Sequence, residues 1–116
     1  MKVIIAGGRN FNSYDVLRQN CDKVLSLQEG VEIVSGTANG ADKLGERYAQ
    51  EKGLLVKQFP ADWEKYGRGA GYKRNEEMAK YADVLIAFWD GKSRGTKHMI
   101  DLAKKYELKV EVVLFD

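Results

Sequence analysis

Five short apolar runs, rich in β-branched residues, alternate along the chain with longer stretches of helical period. The runs are residues 3–6 (VIIA), 31–34 (VEIV), 54–59 (LLVKQF), 84–89 (VLIAFW) and 110–115 (VEVVLF). The first, second and fourth are nearly continuous in apolar character, the pattern of strands covered on both faces. Between the runs, Leu17, Cys21, Val24 and Leu25 fall at i, i+4, i+7 and i+8. Ala41, Leu44, Gly45, Tyr48 and Ala49 fall at i, i+3, i+4, i+7 and i+8, so each set marks one face of a helix. Asn75, Met78, Ala79 and Ala82 repeat the spacing more weakly, and Met99, Ile100, Ala103 and Tyr106 complete the series. Asn12 is placed to cap the first helix, with Asp15 three residues on and Phe11 and Val16 as a hydrophobic staple. Gly30 and Gly53 occur where the first two helices should end.

Strand–helix alternation at this spacing is the signature of a parallel sheet with right-handed crossovers. The expected architecture is a single α/β, Rossmann-like, three-layer domain over residues 1–116. Its five-stranded, mostly parallel sheet takes the order 3-2-1-4-5. Residues 60–72 (PADWEKYGRGAGY) break the rhythm, and a connection this long in a small domain is more often functional than accidental.

Composition narrows the class. At 116 residues, 44% apolar and 31% charged, the chain suits one globular domain and not a disordered one. Its longest apolar run is far below the roughly 18 residues needed to span a bilayer, so no membrane partner is expected. The opening MKVIIAGG breaks at glycine and reads as a strand rather than a signal peptide. The one cysteine, Cys21, has no internal partner, which suits a reducing, cytoplasmic setting. With 19 Lys and Arg against 17 Asp and Glu, interspersed, no basic stripe is evident and nucleic acid is not an expected partner.

In an open parallel sheet, ligands sit beyond the carboxyl ends of the strands where strand order reverses, here between the first and fourth strands. Each unusual cluster falls at that end. The first loop, Gly7-Gly8-Arg9-Asn10, offers close backbone approach and a guanidinium fork to an anion, or is simply a tight turn with a surface arginine. The second, residues 35–42 (SGTANGAD), brings Ser35, Gly36 and Gly40 to a helix start; Asp42 there either complements the helix dipole or contacts a hydroxyl or acts as a general base. After the fourth run, Asp90 and then Gly95 and Thr96 lead into a helix, with Lys92 and Arg94 either solvated or ligand-directed. The long connection adds Trp63, with Arg74 and Asn75 placed near the next helix start, where a cation opposes the dipole. Trp63 and Trp89 can stack on a base or close the core edge.

Several chemistries are excluded by what is missing. Neither GxGxxG nor GxxxxGK[ST] occurs. His98 is the single histidine, with no second ligand at metal spacing, so neither metal nor cofactor is expected, and its place inside a helix does not suit a catalytic triad. Cys21, Tyr48 and Tyr106 read as packing.

Four blocks together resemble the YspA-type branch of the SLOG superfamily, relatives of the Lonely Guy and DprA proteins. They are Gly7-Gly8-Arg9, SGxAxGAD at 35–42, PADWxxxGxxAGxxRNxxM at 60–78 and AFWDGxSxGT at 87–96. The resemblance implies a domain that binds nucleotide-derived, phosphate-bearing ligands of the ADP-ribose kind. On it, Gly8, Arg9, Gly36, Gly40, Gly95 and Thr96 line a phosphate pocket, with Arg74 and Asn75 at its rim. Relatives of this kind also suggest a homodimer through helices flanking the sheet. The Lonely Guy enzymes carry GGxGTxxE with a catalytic glutamate, and here Met99 takes that position. A thioether is neither acid nor base, which argues against hydrolysis by the same mechanism. The leading expectation is therefore a binding or sensing domain. Two alternatives stay open: a hydrolase of an N-glycosidic or phosphoester bond, with Asp42, Asp90 or Glu77 as its carboxylate, and a binder of single-stranded nucleic acid.

Overall fold

The computed structural model describes residues 1–116. Its strands are β1 (Lys2–Gly7), β2 (Glu32–Ser35), β3 (Leu55–Gln58), β4 (Val84–Trp89) and β5 (Lys109–Leu114). They pair in the order β3-β2-β1-β4-β5, and every pairing is parallel. The helices are α1 (Tyr14–Leu25), α2 (Ala41–Lys52), the single turn α3 (Trp63–Tyr66), α4 (Ala70–Tyr81) and α5 (Arg94–Lys105). This is the expected Rossmann-like α/β fold.

Alternation along β1 explains the three layers. Val3 and Ile5 point into one core with Leu17, Cys21 and Leu25 of α1 and Ala41, Tyr48 and Ala49 of α2. Ile4 and Ala6 point into the other, with Met78 and Ala79 of α4 and Met99, Ile100 and Ala103 of α5. The inner strands β1 and β4 are sealed on both faces. The edge strands are not, with Leu55 73% and Leu114 69% exposed. Burial holds the Cys21 thiol neutral, with its pKa pushed up to about 12. No helix is long and apolar enough to cross a membrane.

Several local expectations change. The α1 cap is Ser13, whose hydroxyl accepts the Val16 amide, one residue beyond Asn12. Phe11 staples nothing to Val16: its ring stacks on Phe88 at 4.9 Å and meets Phe115 edge-on at 4.8 Å, leaving Val16 exposed. Gly53 does end α2 in a left-handed turn, but α1 ends at Leu25, and Gly30 (φ +64°) turns the chain into β2 instead. Residues 60–72 are largely helical: Asp62 caps α3, a 3-10 turn (Gly67–Gly69) follows, and α4 is under way by Ala70. Arg74 is thus a full turn inside α4, so the expected conflict with the helix dipole falls away.

Candidate functional site

The carboxyl ends of β1, β2 and β4 are knotted together by the backbone of one residue, Gly8. Gly8 accepts the amides of Phe11 and Ala41, each at 3.2 Å, through its oxygen, while its own amide donates to Phe88 at 3.0 Å. Gly40 comes so close that a Cβ there would sit well inside van der Waals contact of the same Gly8 oxygen, and its φ of +79° independently demands glycine. The loops that follow the three strands therefore enclose a common space. It is a cavity of about 400 Å³ walled by Gly7 at the end of β1, Gly8, Arg9 and Asn10 from the loop after it, Ala38 from the second loop and Asp42 from the first turn of α2. Arg74, Asn75 and Met78 of α4 close one side; Ser93, Gly95, Thr96 and Met99 close another. A second recess of about 250 Å³ shares Arg9, Ala38 and Arg74 with it and adds Gly36, Thr37, Asn39 and Trp63.

Of the residues singled out by sequence, Gly7, Gly8, Arg9, Asp42, Arg74, Asn75, Gly95 and Thr96 meet in the first cavity, and Gly36 and Trp63 in the adjoining recess. The others have different work. Ser35 is fully buried and its hydroxyl donates to Glu46 at 2.6 Å while accepting the Thr37 amide, which shapes the turn from behind. Gly40 is a spacer between loops. Trp89 lines neither recess: its indole N–H donates to the Ser93 carbonyl at 3.1 Å and its ring packs on the second core. Asp90 accepts the amides of Lys92 and Ser93, both at 2.8 Å, which holds its carboxyl below the usual range and ties it to its own loop.

Donors dominate the cavity wall. The Gly8 amide is spent on Phe88, so the first loop presents the amides of Arg9 and Asn10, neither of which has a partner in the chain. The first turn of α5 adds unpartnered amides by the geometry of any helix start, beyond the Thr96 amide that Ser93 caps. Arg74 is held rigidly: one guanidinium nitrogen donates to the Gly36 carbonyl, and Nε donates to Asn75 Oδ1 at 3.0 Å. Asn75, itself buried, has its Nδ2 3.4 Å from the Gly95 carbonyl and 3.3 Å from His98 Nδ1, so it locks α4 to α5. Burial keeps the His98 pKa below its ordinary value.

Asp42 is the exception among these donors. It is 5% exposed, and burial pushes its carboxyl up to about 6 against the opposing pull of the Ala38 amide and the positive charge of Arg74. Sequence reasoning passed over Asn10, Ala38 and Ser93 as lining residues and treated Met78 only as helix packing. Asn10 and Ser93 lay inside recognised loops, but backbone amides and small walls leave no residue-type signal.

Residues 1–66 match the model of the YspA, cpYpsA-related SLOG family. The chain belongs to that family. Within this SLOG family member's wider kin, the Gene 61 protein of Mycobacterium phage D29 is 35% identical, across 94% of this chain and 93% of its own length. Among solved structures, DNA processing protein A from Helicobacter pylori, described for its single-stranded DNA binding mode, superposes with a TM-score of 0.67 at 23% identity. The likeness covers all of this chain, which spans 66% of the length of that one. This corrects the expectation that set nucleic acid aside. The same fold is found in a protein that binds single-stranded DNA, so a near-even balance of charge is no ground for excluding nucleic acid.

Proposed function

We propose that this SLOG domain binds a nucleotide-derived, phosphate-bearing ligand of the ADP-ribose kind, as a sensing or binding module. The observation that carries the reading is the adjoining pair of recesses at the β1–β4 switch point, with Arg9 and Arg74 in the wall they share. Amides of Arg9, Asn10 and the α5 start suit phosphate oxygens, and the anchored Arg74 fork adds a fixed charge. Trp63, 54% exposed beside that shared wall, offers a face on which a base can stack. Met99 in the wall supplies no proton chemistry, which favours binding over turnover. Isothermal titration of the chain with ADP-ribose, NAD and AMP tests this; heat of binding to at least one is expected, and none at protein concentrations of about 100 µM contradicts it.

A second reading is binding of single-stranded DNA, favoured by the exposed Trp63, which lines one recess with Arg9, and by what the DNA processing protein A neighbour binds. It predicts retention on an oligonucleotide that weakens steeply with salt. Lack of retention at low salt removes it.

A further inference from the structure

One side chain in the wall is chemically out of place. Asp42 is nine-tenths buried and its Oδ2 accepts the Ala38 amide at 3.2 Å. Its other oxygen, Oδ1, has no partner in the chain and is not among the polar atoms sealed in the interior, so it is open to the cavity that Asp42 lines. No cationic nitrogen lies within ion-pairing distance of the carboxylate. A buried carboxylate with one oxygen unpartnered is costly unless something else satisfies it.

We propose that Asp42 reads a sugar hydroxyl of the ligand through Oδ1, so that the site takes ribonucleotides in preference to deoxyribonucleotides. The inference rests on the nucleotide-binding reading given above and names its substrate class. A carboxylate accepts and never donates, so the ligand group beside it must be a donor, and a phosphate there would be repelled. The amides of Arg9, Asn10 and the α5 start, with the Arg74 guanidinium, call instead for acceptors. A sugar phosphate carries both kinds of group within a few bonds. An exocyclic amine of the base is the other candidate donor, but the stacking surface for the base, Trp63, belongs to the outer recess, which Asp42 does not line. Raised though it is, the carboxyl remains largely ionised at pH 7.5, as hydroxyl reading requires.

The test is calorimetric titration at pH 7.5. The tightest binder among AMP, ADP and ADP-ribose is compared with its 2′-deoxy and 3′-deoxy forms and with the hypoxanthine analogue that lacks the base amine. One deoxy form should bind about 10- to 100-fold more weakly, the scale of losing a hydrogen bond to a charged group. Asp42→Asn, shown to be folded by its melting curve, should weaken the ribonucleotide and erase most of that discrimination. Equal affinity for ribo and both deoxy forms overturns the inference while leaving nucleotide binding intact, and so does a loss confined to the hypoxanthine analogue. Failure of every ribonucleotide to bind overturns the parent reading and this one with it.

Discussion

The β2–α2 passage ends in an aspartate on the first turn of α2 and the β4–α5 turn opens with one, and the two are employed in opposite ways. Asp90, after β4, folds onto the amides of Lys92 and Ser93, uses up those donors and becomes a more comfortable anion. Asp42, on the first turn of α2, takes only the Ala38 amide and is a buried anion at a cost, its pKa raised to about 6. Identical side chains, both at the carboxyl end of the sheet, thus serve as a loop brace in one case and as a cavity wall in the other. The deciding variable is whether the local backbone satisfies the carboxylate. Where it does, the fold is served; where it does not, a group is left for a ligand.

The same contrast holds for glycine. Gly40 and Gly91 share a φ near +80°, but a Cβ at Gly40 would strike the Gly8 carbonyl, whereas nothing lies near one at Gly91. Gly40→Ala should therefore cost about 3 kcal/mol or more, and Gly91→Ala only about 1 kcal/mol, from the backbone strain alone. Urea denaturation measures both. Equal losses would mean that the two turns do not differ in packing.

A charge-removal pair sharpens the comparison of carboxylates. Because folding raises the Asp42 pKa above its unfolded value, the native state holds the proton longer, and stability falls as pH rises from about 4 to about 6. Asp42→Asn should then stabilise the chain by up to about 3 kcal/mol at pH 8, with the gain vanishing below pH 4. Asp90 behaves oppositely. Its lowered pKa contributes stability that is present above the unfolded value and lost as pH falls through the folded one. Asp90→Ala should lower the melting temperature at pH 8 and lose that effect in acid. Melting curves across pH that move the two variants in the same direction would refute this account.

Ligand affinity gives a smaller difference. Arg74, braced by Gly36 and Asn75, should matter more than Lys92, which is exposed on the β4–α5 turn. Arg74→Gln is expected to weaken ADP-ribose about 10-fold and Lys92→Gln less than about 2-fold. A larger effect at Lys92 would move the phosphate out of the cavity.

Much of this was legible in the sequence, for identifiable reasons. The inner strands announced themselves because burial on both faces leaves VIIA and VLIAFW almost without polar positions. The strand order followed from alternation and handedness. Asn12 and Ser13 are both good caps, and only the fold of Phe11 into the core selects the second. The start of α4 at Ala70 was hidden by the glycines of residues 67–71, which read as loop although the chain is already helical there. Trp63 and Trp89 could not be told apart, nor could Asp42 and Asp90. Each distinction depends on which amide or carbonyl comes within reach after folding, as Ser93 does for Trp89. The charge count gave no sign that a protein of this same fold is described for binding single-stranded DNA.

The most direct measurement is an amide-resolved NMR titration of the isotopically labelled chain with ADP-ribose. Ligand in the adjoining recesses predicts the largest shifts at Arg9, Asn10, Ala38 and Gly95, and at the Trp63 indole, with Trp89 and the β5 edge little changed. No shifts, or shifts centred away from the carboxyl ends of β1, β2 and β4, would contradict the account.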